Sequence, residues 1–396
     1  MTVKRRDRRN RILRSGESQR KDGRYAYKYL NHLGKPQFVY SWKLVPTDKT
    51  PSGKRDGPSL REKEKSIQKD IADGIDHTSA KMTVSRLYAL QTEQRGNVRD
   101  STKAGRRRLA RLLDEDPLGA AAIDSVRPCD AKAWAVRMKE KGIAFNTIRN
   151  DKRSLNAAFR TAIENDFIRK NPFDFRLKEV IDDDTAPKIP LTRAQAESLL
   201  RFALHDDTYA KYHDELVILL GTGLRVSELC GLTESDIDLD AGTVTIDHQL
   251  LRNANRGRYI ERTKTGSGIR TIPMSVEVRE AFAHALEHHT ETKETVIDGR
   301  KGFLFLDRKG QPKTSGNYEG MFRGLVRKYN KCHEVPLPKV TPHTMRHTFC
   351  TRMANAGMNP KALQYIMGHS NITMTLDYYA HADAASAMAE MLRLAA

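Results

Sequence analysis

The sequence is poor in cysteine, in acidic residues and in long apolar runs, and each shortage removes a class of protein. Four cysteines, Cys129, Cys230, Cys332 and Cys350, stand far apart in 396 residues with no CxxC pair. Neither a disulfide framework nor a zinc ribbon is expected, and the thiols are read as reduced and structural. No apolar stretch is long enough to cross a bilayer, and the mean hydropathy is −0.64. The first residues, MTVKRRDRRNR, are basic but lack the apolar core and small-residue cleavage site of a secretory signal. A soluble chain working in the cytosol or on the nucleoid is the expectation. Asp and Glu number 50 against 69 Lys and Arg, leaving a net charge of +19. Such a surface gathers polyanions and gains by releasing their counterions, so nucleic acid is the expected partner.

At this length two or three domains are expected. Residues 1–75 hold 20 basic against 9 acidic residues, and so +11 of the net charge. Within them RYAYKYL (24–30) and QFVYSWKL (37–44) alternate with the period of strands and are separated by turn residues. A small antiparallel sheet follows, with a helix from Leu60 to Asp73 against it. Tyr25, Tyr27, Tyr29, Tyr40 and Trp42 either form the core of that sheet or stack on bases. The basic rim, with Arg5, Arg6, Arg24 and Lys28, is the better candidate for DNA contact. Residues 80–180 read as four helices, around TVSRLYAL (83–90), AGRRRLARLL (104–113), CDAKAWAVRM (129–138) and NTIRNDKRSLNAAF (146–159). Their polar faces carry Lys103, Arg106, Arg107, Arg108, Lys152 and Arg153, set either for solvent or for phosphates. Residues 181–190, IDDDTAPKIP, read as a linker, after which Thr192 is placed to cap a helix. The remainder, 191–396, reads as helices near 193–204 and 212–220, a strand-rich stretch over 242–273, and helices to the end.

The chemistry-bearing residues lie in this last segment. In GTGLRVSELCGL (221–232), Gly223 permits a tight bend before a helix that starts at Arg225. Arg225 either pairs with Glu228 one turn on or grips two oxygens of a phosphodiester with its planar fork. RYIERTKTGSGIRTIP (258–273) reads as a hairpin with its tip at 263–268, which puts Lys264 on a strand edge as a candidate proton donor. In TPHTMRHTFC (341–350), His343 and Arg346 are three apart behind Pro342 and share one face of a helix start. His347 is assigned to a different face as a structural histidine. GHSNITMTLDYYAH (368–381) adds His369 and two tyrosines. No carboxylate or thiolate stands at ligand spacing beside these histidines and an arginine repels a cation, so no metal site is expected.

Together TGLR with Arg225, the hairpin Lys264, the HxxR pair His343 and Arg346, GH with His369, and YxH with Tyr379 resemble, in order, the catalytic domain of the tyrosine recombinases, the phage integrase family. The resemblance implies that Arg225, Lys264, His343, Arg346 and His369 surround a scissile phosphate, which Tyr379 attacks to form a 3′-phosphotyrosyl link and free a 5′-hydroxyl. Tyr378 is the competing nucleophile. An isolated tyrosine is only about 0.1% ionised at neutral pH, and a cationic pocket favours its phenolate. Each preorganised donor around the phosphorane is worth on the order of 3 kcal/mol, or about a hundredfold in rate. Lys264 would protonate the leaving oxygen, His343 would assist on the tyrosine side, and no cofactor is required. More loosely, the basic sheet (1–75) resembles the arm-binding domain of integrases from phages and conjugative transposons, and the helices (80–180) resemble a core-binding domain. The implied fold is therefore multidomain: a small α+β sheet domain, an all-α four-helix domain, and a mixed, mainly α catalytic domain (191–396) with a small antiparallel sheet. The implied function is integration and excision of a mobile element, by a homotetramer on two duplexes with the final helix docking in trans. An excisionase and a DNA-bending protein are possible accessories. Alternatives on the same scaffold are a type IB topoisomerase-like relaxing enzyme and a non-catalytic DNA-binding regulator.

Overall fold

In the computed structural model the described residues are 5–30, 35–72, 82–96, 98, 100–186, 189–262, 268–289, 295–379, 388 and 391. They divide into two units, Met1–Ala186 and Pro187–Ala396. The first unit opens with a three-stranded antiparallel sheet, β1 (Glu17–Gln19), β2 (Tyr25–Leu30) and β3 (Pro36–Ser41), in that order, followed by helix α1 (Leu60–Ala72). The two long strands fall where the alternation predicts them. β1 is an addition, too short to alternate visibly. Tyr25 and Tyr27 are buried with Leu13, Leu44, Leu60 and Ile67, so these two tyrosines belong to the core. Tyr40 and Trp42 lie under the guanidinium of Arg24, 5.6 and 5.7 Å from the ring centres. Glu17, fully buried, takes two bonds from Arg61 at 3.0 and 3.2 Å and fastens β1 to α1.

The helical part of this unit runs α2 (Val84–Gln94), α3 (Asp100–Asp114), a single turn α4 (Pro117–Ala120), α5 (Pro128–Glu140) and α6 (Phe145–Glu164). Its core is built on Trp134, Phe145, Phe159 and Phe173. The ends of the helices are set by polar side chains: Thr83 caps α2, and Asp116 caps α4 while holding Arg137 of α5 at 2.7 and 2.9 Å.

The second unit contains α7 (Arg193–Leu204), α8 (His213–Thr222), α9 (Val226–Gly231), five short strands, and then α10 (Val276–Glu287), α11 (Ser315–Cys332), α12 (Pro342–Asn355), α13 (Pro360–Met367) and α14 (Thr373–Leu376). Thr192 caps α7, as its position predicts, with Gln195 bonded back to it. The strands are β4 (Ile237–Asp238), β5 (Thr243–Ile246), β6 (His248–Asn253), β7 (Gly257–Arg262) and β8 (Arg270–Pro273). Here the predicted hairpin across residues 263–268 is corrected. β7 pairs with β6, and β8 pairs with β5 in a separate three-stranded sheet β4-β5-β8. The hairpin turn lies instead at residues 254–256, before Gly257 at φ +73°, and residues 263–267 lie outside the described residues.

Two left-handed glycines shape the site described below. Gly223 (φ +66°) ends α8 and Gly368 (φ +59°) ends α13. A Cβ on Gly223 would lie inside van der Waals contact of Phe349 and 3.0 Å from Met367 Sδ. Gly223→Ala is therefore expected to lower stability by about 3 kcal/mol, combining left-handed strain with overpacking. Gly257→Ala, equally left-handed but with nothing within 4 Å of the added methyl, is expected to cost only about 1 kcal/mol. Equal losses in urea titrations of the two variants would show that the approach to Phe349 is not what limits position 223.

Candidate active site

Three separated stretches of the second unit meet at one cavity of about 580 Å³, lined by Arg225, His343, Arg346, His347, His369 and Tyr378 among others. Arg225 is the N-cap of α9, held there by the turn at Gly223. Arg346 projects from the first turns of α12, whose start is fixed by Thr341 as cap and Pro342 at N1. His369 follows Gly368, where the αL residue reverses the chain after α13. His347, assigned from the sequence to another face, lines the same cavity and lies edge-to-face on Tyr378 with ring centres 5.0 Å apart. The spacing of His343 and His347 carries the signal: residues four apart are stacked on one helix face.

The guanidiniums are gathered by one carboxylate. Glu228 is buried, receives Arg270 Nη2 at 2.8 Å and Nη1 at 3.2 Å, and accepts Arg225 Nη1 at 2.7 Å and the Arg225 amide at 2.8 Å. Burial pushes its carboxyl up, but the bonds from Arg270 and the charges of Arg270, Arg225 and Arg346 win and hold it down at about 2. Arg270, with a side chain 0% exposed, also donates to the carbonyl of Ile366 at 2.7 Å. Arg225 Nη2 reaches the carbonyl of Gly368 at 3.1 Å, and Arg346 donates to the carbonyls of Gly223 at 2.7 Å and Met367 at 2.5 Å. Burial, with repulsion from Arg225 and Arg270 outweighing what Glu228 returns, lowers Arg346 to about 9. Sequence reading had not singled out Arg270; a basic residue inside the strand RTIP, at a position that must point inward, is the signal it offers.

His369 is 4% exposed, with Nδ1 2.9 Å from the hydroxyl of Thr375. Burial and then the charges of Arg346, Arg225 and Arg270 lower its pKa to about 4, so the ring is neutral at neutral pH. When the Thr375 hydroxyl donates to Nδ1, the ring proton sits on Nε2. Tyr379 is not among the residues lining the cavity; its phenol donates to the carbonyl of Met358. Burial and Cys350 raise its pKa. They raise Tyr378 too, against the pull of Arg346. The expectation that a cationic pocket favours the phenolate is therefore corrected for this arrangement, because Tyr379 rests on a carbonyl and not on guanidiniums. Lys264, His381 and the apolar tail 384–396, save the helical positions Met388 and Met391, lie outside the described residues.

The sequence-derived DNA contacts all fall in the first unit. Arg5, Arg6, Lys28, Lys103, Arg107 and Arg153 are exposed. Arg24 pairs with Asp22 at 2.7 Å, Arg106 closes the end of α2 by donating to the carbonyl of Arg95 at 2.9 Å, and Lys152 stands 4.5 Å over the ring of Phe175. Lys152 and Arg153 line one cavity with Arg149 and Arg176. Among the described residues Asp236, Asp247 and His248 bring three donor atoms within 4.8 Å. Asp247 is already bonded by Arg300 at 2.5 Å, and His248 spends Nδ1 on Asp247 and Nε2 on the carbonyl of Gly231, so these groups are satisfied within the chain.

The depressed His369 fixes a pH window. As pH falls the unfolded chain protonates first, near 6.5, while the folded site resists until about 4; stability is full above 6.5 and is lost on the way down. His369→Gln is expected to flatten the loss of thermal stability between pH 6.5 and 4 and to leave the further loss below 4.5, where Glu228 titrates. Parallel stability curves for the parent and His369→Gln would remove His369 as the cause.

Comparison with known proteins agrees with this geometry. The profile of the phage integrase family matches residues 190–386, and that of the DNA-binding domain of Tn916 integrase matches residues 1–71. The transposase from transposon Tn916 of Enterococcus faecalis is 59% identical over 394 residues, covering 100% of this chain and 97% of its own. A structure of the Tn1549 transposon integrase (residues 82–397, R225K) with a circular intermediate DNA is 61% identical over 79% of this chain and 99% of its own, with a TM-score of 0.77. A second, carrying Y379F and bound to transposon right end DNA, is 61% identical over 80% and 100%, also at 0.77. A whole-length likeness of this degree, joined to the two arginines and three histidines meeting at one cavity, makes the chain a member of the phage integrase family, a tyrosine recombinase with a Tn916-type amino-terminal DNA-binding domain.

Proposed function

We propose that this recombinase integrates and excises a conjugative transposon by cutting and rejoining DNA through a phosphotyrosyl bond to Tyr379. The observation that carries the reading is the convergence of Arg225, His343, Arg346 and His369 on one cavity. The relatives give it a substrate: Tn1549 transposon integrase structures hold circular intermediate DNA or transposon right end DNA, and three of them carry R225K or Y379F.

A phosphodiester seated in the cavity faces the forks of Arg225 and Arg346 and the Nε2–H of His369, donors that also meet the charge growing on the phosphorane. Tyr379 Oη leaves the Met358 carbonyl, bonds to phosphorus, and gives up its proton with help from His343. The bond from phosphorus to the 5′-oxygen breaks, and Lys264 supplies the proton that makes it a 5′-hydroxyl. The phosphotyrosyl ester keeps the energy of the broken diester, so a second 5′-hydroxyl reverses the step without a nucleotide triphosphate.

In this reading residues 1–75 hold arm-type sites, 80–180 close on the core site, 181–190 link, and 191–396 catalyse. Two duplexes are handled by a tetramer, acting on the bacterial nucleoid in the cytoplasm, with the terminal helix reaching a neighbouring subunit and an excisionase and a bending protein setting direction. A topoisomerase-like enzyme would act on a single duplex and have no use for the separate basic head.

On a nicked suicide duplex, Tyr379→Phe is expected to form no covalent adduct while binding DNA as the parent does. Adduct persisting in Tyr379→Phe and vanishing in Tyr378→Phe would move the nucleophile to Tyr378. Deleting residues 1–75, which carry +11, is expected to lower the slope of log affinity against log salt and to abolish binding to one class of site. An unchanged slope would refute an arm-binding role.

A further inference from the structure

A second cavity, of about 640 Å³, opens beside the first and shares His343 with it. One wall is α11, which turns Glu319, Arg323 and Arg327 toward it; the other is the strip from Lys339 to His343, and Val226 at the start of α9 closes the end next to Arg225. Its floor is apolar, with Phe322, Val340 and Pro342 buried. Arg323, Arg327 and Lys339 are exposed, and none of the three is in an ion pair among the described residues. Lys328, the neighbour of Arg327 on another face of the same helix, is paired, with Asp206 at 2.5 Å. The cations on this wall are thus without an ion-pair partner among the described residues, although Glu319 lies one turn from Arg323 on the same wall.

We infer that Arg323, Arg327 and Lys339 bind the phosphates that flank the scissile one, on the His343 side, as a track that seats the DNA strand before it is cut. The inference rests on the proposed function and adds to it a set of substrate contacts. Charge alone makes any lysine attractive to DNA, but three further features point to a strand of nucleic acid here. Arg323 and Arg327 are four residues apart, about 6 Å along the helix, so both forks address one strand running past α11. The apolar floor between the cations suits the deoxyribose faces that lie between phosphates. The groove also shares His343 with the cavity proposed to take the reacting phosphate, so a strand held in one lies beside the other.

Glu319 decides what kind of contact this is. A carboxylate on the wall repels phosphate, so the track begins at Arg323 and lies toward Lys339 and His343. Contacts of this kind fix register and orientation and carry no base preference.

The test uses the full-length chain with Arg323→Ala, Arg327→Ala and Lys339→Ala, singly and together. All three positions are exposed, so melting temperatures are expected to stay at the parent's value. On a random-sequence duplex each single change is expected to reduce the magnitude of the salt slope by about one. Unchanged slopes in all three variants overturn the track, as does a loss of affinity confined to one base-pair position, which would make these residues base readers. Failure of the parent itself to form an adduct at Tyr379 would instead defeat the proposed reaction, and the slopes would still judge the groove.

Discussion

The site depends on one buried carboxylate. Arg225, Arg270 and Arg346 come from a helix cap, a strand and a helix, and without Glu228 their charges would force them apart. A buried ion pair of this kind is a poor source of net stability, since taking both charges out of water costs about what their attraction returns. What it supplies is arrangement. Glu228 bonds both the backbone and the fork of Arg225, so the residue that caps α9 is aimed by the acid three positions later. Arg270 saturates the other side of Glu228 and ties it to the end of α13 through Ile366. The carbonyls of Gly223, Met367 and Gly368 complete the frame, and two of those three follow or form the left-handed turns that bring the segments together.

Three guanidiniums against one carboxylate leave two positive charges uncompensated in a largely buried place. Burial first, and that surplus second, keep His369 neutral: a third net charge would cost more than the proton is worth there. It also suits the proposed chemistry. A phosphodiester brings one negative charge, and attack by a phenolate raises it to two at the phosphorane, so the field is matched to the transition state better than to the bound substrate. A neutral His369 can still donate from Nε2, adding a hydrogen bond without adding to the repulsion among the arginines.

Much of this was legible in the sequence because the chemistry sits in short, ordered motifs. TGLR placed Arg225 at a helix start, HxxR placed His343 and Arg346 on one face, and the alternation around Tyr25 and Tyr27 gave the small sheet. What could not be read were relations between segments. The partners of Glu228 lie at 225 and 270, and only the first is near in sequence, so the local pair was visible and the bridge was not. The hairpin around Lys264 is misleading for the same reason: two strand-like stretches flanking a sequence with two glycines look paired, yet β7 pairs with β6 and β8 with β5. His347 is one residue and about 100° from Arg346, which hides in the sequence its alignment with His343 a full turn earlier.

The two tyrosines show how little separates one nucleophile from another. Consecutive residues in a helical turn point about 100° apart, so Tyr378 and Tyr379 cannot both face the phosphate. In the structure Tyr378 lines the cavity against His347, and Tyr379 lies on Met358. Both pack against the small cluster of Phe349, Leu363 and Met367, which leaves the choice to the single turn of α14 and the bends that follow it. Thr375, the last buried anchor before the pair, is bonded to His369. The tyrosine segment is thereby tethered to the cavity at His369 while its phenol rests on the Met358 carbonyl, and in the proposed reaction that carbonyl is exchanged for a phosphate by movement of the residues beyond Thr375.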